Sequence, residues 1–232
     1  MKKTAIITGG AGNLGRAVVK KFLDLGYQIA ATLEPNAPVD EAFRKQSAAL
    51  DLHELDVTNE SDAERFVKTC AEKYGRIDAA ILLVGGFALG TLAEMTQKSF
   101  EKMLRLNFYS ALAIAKPVFA AMKRQGGGRI VLIGARPGID LKNGTFAPEY
   151  GLSKSLLFRL SELLNAEGNA SGVIASVIAP SVIDTPANRA SMPDANFDDW
   201  VKPEAIADAI AFLCSDAGGA LREPVLKLYN KA

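Results

Sequence analysis

The chain has 232 residues, 27 basic and 26 acidic side chains, a net charge of +1, and is 49% apolar and 23% charged. That composition is too apolar for a disordered chain, and its balanced charge gives no reason to expect nucleic acid or an anionic membrane as partner. No apolar run approaches the ~18 residues of a membrane span, and the start MKKTAIITGG meets a glycine turn too early for a signal peptide, so the cytoplasm is the expected location.

Short apolar runs alternate with longer amphipathic stretches from end to end, the pattern of βαβ units. Strands are predicted at Thr4–Thr8, Gln28–Leu33, Leu52–Asp56, Ala79–Val84, Arg129–Ile133, Val173–Ala179 and Val225–Tyr229. After the first strand, Leu14, Val18, Val19, Phe22 and Leu23 repeat at helical spacing. His53, the single histidine, falls inside a strand and reads as structural, which argues against a multi-histidine metal site or a histidine triad. Ser61 with Glu64 resembles a capping box. Cys70 and Cys214 lie far apart without metal spacing and suit a reducing compartment. The segment Thr96–Arg124 is helical but contains Pro117, which should bend or break it. A further helix spans Tyr150–Glu167, and Pro203 sits where a first-turn proline fits before Glu204–Cys214. Residues Thr185–Trp200, with two prolines and no periodicity, read as a lid. No repeat or linker divides the chain, so one domain is expected.

The first strand runs into Thr8-Gly9-Gly10-Ala11-Gly12-Asn13-Leu14-Gly15 and then a helix. Glycines in this context let the backbone turn tightly and approach a pyrophosphate, which a helix N-terminus then holds. Glu34 falls at the end of the second strand, where a carboxylate accepts ribose hydroxyls and repels a 2′-phosphate; a solvated loop carboxylate is the alternative. No arginine or lysine lies between Gln28 and Glu41 to neutralise it, so NAD is favoured, with NADP as the alternative.

Tyr150-Gly151-Leu152-Ser153-Lys154 places a phenol and an ammonium a helical turn apart. With the N-terminal Thr-Gly turn, the chain length and the strand before it, it makes nearly the whole chain resemble the short-chain dehydrogenase/reductase family. The resemblance implies a three-layer, doubly wound α/β Rossmann fold with a seven-stranded parallel sheet in order 3-2-1-4-5-6-7. It implies catalytic roles for Tyr150, Lys154 and Asn107, the lysine also holding the nicotinamide ribose and the asparagine positioning a water. By the same resemblance, Gly9, Gly12, Asn13, Leu14, Gly15, Glu34, Asp56, Val57, Gly85, Gly86, Tyr150, Lys154, Pro180, Ile183 and Thr185 hold the cofactor, with Asp56-Val57 at adenine and the Pro180–Thr185 loop at nicotinamide. Pairing of the Thr96–Arg124 and Tyr150–Glu167 helices implies a homodimer or homotetramer.

Three local stretches, Val84-Gly85-Gly86-Phe87, Gly134-Ala135 and Asp184–Phe197 with Trp200, look like the quinoid dihydropteridine reductase branch. The glycine spacing Thr-Gly-x-x-Gly-x-x-Gly is closer to the longer, two-domain branch, whose epimerases have a second domain that 232 residues leave no room for. Family members usually carry a serine after the fifth strand, yet Ile133-Gly134-Ala135-Arg136-Pro137-Gly138 has no hydroxyl, as in the dihydropteridine reductase branch. Thr145 could lend one or be an ordinary loop residue. Arg136 could pair with a substrate anion or with a surface carboxylate. Phe87, Phe146, Met192, Phe197 and Trp200 could line a flat pocket or simply pack. The function read from this resemblance is hydride transfer between NAD(P)H and a small planar conjugated or carbonyl substrate. The alternative is a nucleotide-binding regulator with little or no turnover.

Overall fold

A computed structural model describes residues 2–232. In chain order the elements are β1 (Thr4–Thr8), α1 (Asn13–Asp24), β2 (Gln28–Leu33), α2 (Glu41–Arg44), β3 (Leu50–Glu54), α3 (Glu60–Tyr74), β4 (Ala79–Leu82), α4 (Gln97–Leu104), a π turn (Arg105–Tyr109) and α5 (Ser110–Gln125). Then follow β5 (Gly128–Ile133), α6 (Arg136–Ile139), α7 (Pro148–Gly168), β6 (Val173–Pro180), α8 (Pro186–Ser191), α9 (Pro203–Leu213) and β7 (Val225–Leu228). The strands form one parallel sheet in the predicted order, β3-β2-β1-β4-β5-β6-β7.

Both faces of this sheet are covered, so its strands read as continuous apolar runs whose side chains alternate between two cores. Ala5 and Ile7 of β1 join Val18 and Phe22 of α1 and Ile206 and Ile210 of α9. Ile6, between them, joins Phe66 of α3, Ile114 of α5 and Leu160 of α7. Crossovers from one face to the other leave the C-terminal strand ends open to a ligand, where the order reverses between β1 and β4.

Several element boundaries differ from the sequence expectation, because a neighbouring strand or a side chain captures backbone groups. β3 covers Leu50–Glu54 rather than Leu52–Asp56. Ile29 N–H already pairs with the Ala49 carbonyl at 2.8 Å, and Asp56 turns the chain away by accepting from the Thr58 N–H and hydroxyl at 2.9 and 2.7 Å. β4 stops at Leu82 because the Thr8 hydroxyl oxygen takes the N–H groups of Leu83 and Val84, at 2.9 and 3.4 Å. The capping box of Ser61 and Glu64 does not form, since both lie inside α3. Asn59 caps that helix instead, its Oδ1 accepting from Ser61 and Asp62 N–H at 3.1 and 3.3 Å. Pro203 does occupy the first turn of α9.

The long helical segment is not broken at Pro117, which lies inside α5. Its discontinuity is the wider turn at Arg105–Tyr109, where the Ser110 hydroxyl donates to the Leu106 carbonyl at 2.6 Å. Insertions of this kind into an α-helix re-aim a side chain and cluster at functional sites. The residue re-aimed here is Asn107, fully buried.

Candidate active site

The glycine turn joins β1 to α1. Gly12 is the N-cap and offers no side chain to the first-turn N–H groups of α1, and that turn holds no acidic residue; Asn13 and Leu14 open the helix. These donors and the helix dipole favour an anion. Gly15 lies so close to the turn that a Cβ there would run into the Gly9 carbonyl oxygen. Glu34 lies exposed just past β2, where Ala37 N–H returns to the Glu34 carbonyl at 3.1 Å. The tertiary structure brings one cation to this region that the linear search between residues 28 and 41 could not find, Arg16 of α1. Its guanidinium pairs with Asp40 at 2.6 Å and lies over the Phe43 ring, which commits it locally.

Asp56 is held at the surface of the same end. Arg105 donates to its Oδ2 at 2.9 Å and to the Thr58 hydroxyl at 2.9 Å. Hydrogen bonds from Thr58, then the Arg105 guanidinium, hold the Asp56 carboxyl below the usual carboxylate range. Val57 is buried in the α3/α5/α7 core, so only its backbone faces outward chemistry.

At the centre, α7 presents Tyr150, Ser153 and Lys154, and the π turn presents Asn107. The Lys154 ammonium is 4% exposed and donates to the Ile133 carbonyl at 2.7 Å, lying 6.0 Å from the centroid of the Tyr150 ring. Asn107 is a clamp. Its Oδ1 accepts from Gly86 N–H at 2.9 Å, and its amide donates to the Gly86 carbonyl at 3.1 Å and to the Ser153 hydroxyl at 3.0 Å. The Ser153 hydroxyl in turn donates to the Tyr150 carbonyl at 2.9 Å. Gly85 must be glycine because a Cβ there would meet Asn107 Oδ1 at 2.6 Å and Lys154 Nζ at 3.0 Å.

Burial sets the ionisation of the pair. It pushes the Tyr150 phenol up to about 12 and the Lys154 ammonium down to about 8. A phenol so raised holds its proton at neutral pH and is a donor.

Around this centre the substrate candidates separate. Phe87 meets Tyr150 edge to face, with ring centroids 5.0 Å apart. Phe146 and Thr145 are exposed on the turn before α7. Ala135, at the position of the missing serine, is buried and caps α6. Among the described residues Arg136 pairs with no carboxylate side chain; it donates to the Ala232 carbonyl oxygen at 2.8 Å and covers the Tyr229 ring. Beyond Pro180 at the end of β6, Ile183 forms a bridge with Val201 that closes the base of the 185–200 segment. Thr185 caps α8 by accepting from Asn188 N–H at 3.2 Å. Met192 ends α8 exposed. Phe197 packs between Arg189 and Trp200, and Trp200 is 4% exposed, a packing residue of the segment's base.

A profile of the short chain dehydrogenase family matches residues 3–196. The chain belongs to that family. Among curated relatives, the dihydropteridine reductase of Dictyostelium discoideum is 30% identical over 218 residues, covering 90% of this chain and 87% of that protein. The acetoacetyl-CoA reductase of Allochromatium vinosum is 26% identical over 233 residues, 94% of each chain. Among solved structures, a short-chain type dehydrogenase/reductase from Mycobacterium ulcerans superposes with a TM-score of 0.90 at 23% identity, over 99% of this chain and 89% of that one, a likeness of fold.

As a short-chain dehydrogenase, the protein is an NAD(P)-dependent oxidoreductase. Its residues fit that cofactor: the α1 N-terminus is uncapped by any side chain, and a Cβ at Gly85 would fill the space beside Lys154 and Asn107. Three residues that lie beside the predicted site residues escaped the sequence reading. Ser153 was legible, three residues from Tyr150 on one helical face. Arg105 and Arg16 were not, because their partners Asp56 and Asp40 are distant in sequence.

Proposed function

We propose that this protein uses a reduced nicotinamide cofactor, NADH by preference, to reduce a small, planar, conjugated acceptor. The observation that carries the reading is the setting of Tyr150: a protonated phenol against the Phe87 ring, with buried Ala135 where a second hydroxyl would stand. Reducing an isolated ketone concentrates negative charge on one oxygen, and a missing donor there costs on the order of 2.7–4 kcal/mol in the barrier. A conjugated ring spreads the incoming electrons and needs that donor less. The identity to a dihydropteridine reductase supports the same class.

When bound, a dihydronicotinamide would supply the hydride. Tyr150 delivers the proton from its hydroxyl oxygen. Lys154, fixed by Ile133, keeps ammonium donors for the ribose hydroxyls and stabilises the phenolate left after proton transfer. Asn107, through Gly86 and Ser153, holds the loop after β4 against α7, so Phe87 and Tyr150 keep their relative position. Gly9, Gly12, Asn13, Leu14 and Gly15 hold the pyrophosphate, Glu34 the adenosine ribose, Asp56 and the Val57 backbone the adenine, and Pro180, Ile183 and Thr185 the nicotinamide. Residues 185–200 cover the substrate as a lid of this single domain, braced by the Arg189–Asp184 pair at 2.6 Å.

The exposed side chains of Tyr109 at the end of the π turn and Leu163 on α7 support association of copies as a homodimer or homotetramer. Two buried free cysteines support a cytoplasmic location. The test is the rate of NADH and of NADPH oxidation with a quinonoid dihydropterin generated in the assay, corrected for the uncatalysed rate. Turnover favouring NADH is the expected result; nucleotide binding without turnover of any planar acceptor would overturn the reading.

A further inference from the structure

Four large apolar side chains stand in solvent on the two segments that flank Tyr150. Phe87 is 56% exposed, Leu89 73%, Leu92 70% and Phe146 51%. They come from two segments, the loop after β4 and the turn before α7, which Gly90 N–H joins by donating to the Phe146 carbonyl at 2.8 Å. Scattered apolar residues on a surface are ordinary. A group drawn together by a backbone hydrogen bond and continuous with a reacting group is a binding face. Phe87 supplies that continuity, its ring in edge contact with Tyr150.

The arginines that follow β5 and β6 are engaged within the protein. Arg136 is held by the Ala232 carbonyl and the Tyr229 ring, and Arg189 grips Asp184 through two hydrogen bonds, at 2.6 and 2.7 Å, while covering Phe197. Arg189 thereby spends one whole edge on Asp184, and Arg136 is anchored through Nη1. Lys142, exposed on the turn before Phe146, is the cation to be tested against this reading.

We propose that this rim binds an apolar substituent of the acceptor, so that the substrate is a quinonoid ring bearing an uncharged hydrocarbon tail. The proposal rests on the planar-acceptor reading above. The acceptor gains a hydride from the dihydronicotinamide and a proton from the Tyr150 oxygen, becoming the two-electron-reduced hydroquinone as the nicotinamide is oxidised; Tyr150 regains its proton from solvent. The tail takes part in no bond change and lies over Phe87 and Leu89.

The test is kcat/KM with NADH for 2-alkyl-1,4-naphthoquinones from methyl to heptyl, and for a tail of heptyl length ending in carboxylate, all corrected for direct oxidation. Equilibrium dialysis of the same compounds against the protein without nucleotide is run in parallel. Each methylene over a partly covering rim is expected to raise kcat/KM about twofold, half the effect of full burial, and heptyl should bind tighter than methyl in dialysis. In Leu89→Ser, whose fold is checked by nucleotide binding, the heptyl-to-methyl ratio should fall severalfold. Turnover independent of tail length would overturn the proposal while leaving the acceptor reading intact. Preference for the carboxylate tail would overturn it in favour of Lys142. A Leu89→Ser loss equal for every tail would overturn it by making the rim a seat for the 185–200 segment. No turnover of any naphthoquinone, together with none of a quinonoid dihydropterin, would remove the acceptor reading beneath it.

Discussion

Asn107 and Ser153, 46 positions apart, meet through a buried 3.0 Å hydrogen bond that ties the π turn to the helix carrying Tyr150 and Lys154. Because the same amide also satisfies Gly86 N–H and carbonyl, truncation leaves buried backbone groups unpaired. Asn107→Ala should lower unfolding free energy by about 1–3 kcal/mol and reduce kcat more than nucleotide affinity. Ser153→Ala, which removes one bond of the set, should cost about 1 kcal/mol. Denaturant unfolding and steady-state kinetics measure both.

Tyr150→Phe removes the hydroxyl and keeps the ring against Phe87. Turnover should fall by about 10²–10⁴-fold with NADH binding unchanged, measured by stopped-flow hydride transfer and nucleotide fluorescence. Unchanged turnover would show that the proton comes from another group and would leave room for a nucleotide-binding regulator.

Burial lowers Lys154 from 10.5 to about 8. Between those values the unfolded chain binds the proton that the folded chain has lost, so folding stability contributed by this group rises with pH from about 8 to about 10.5. Wild type should gain stability relative to Lys154→Met across that interval, followed by denaturation midpoints at successive pH values. Tyr150 works in the opposite sense at higher pH: raised to about 12, it holds its proton in the folded state after the unfolded chain has released it near 10, and stability falls from about 10 upward.

Arg105 braces Asp56 and Thr58 from the residue that opens the π turn. An exposed pair of this kind contributes at most about 1 kcal/mol, so Arg105→Ala should change Tm by no more than about 2–4 °C. The KM for NADH should rise severalfold as Asp56 loses its support, with kcat nearly constant, a split that general loss of stability would not produce.

Glu34 stands exposed past β2, and Arg16 is engaged by Asp40 rather than facing a ligand phosphate. Glu34→Ser should shift the NADPH-to-NADH ratio of kcat/KM by about tenfold toward NADPH, because a repulsive carboxylate is removed without a new attraction.

The linear chain by itself determined the two local devices on which the site is built, and the sheet order followed from the family resemblance they carry. A glycine turn between a strand and a helix, and a Tyr-x-x-x-Lys on one helical face, are short-range patterns, and short-range geometry follows directly from backbone sterics and the 3.6-residue repeat. Only the tertiary structure decided what those devices touch. Lys154 is held by Ile133, 21 positions away, Arg136 by Ala232, 96 positions away, and the helix break falls at Asn107 rather than Pro117. A proline announces itself in sequence, whereas a buried amide that must satisfy Gly86 and Ser153 together does so only after β4 and α7 have packed. The ionisation of Tyr150 was decided in the same way, since its pKa depends on how much water the surrounding elements exclude.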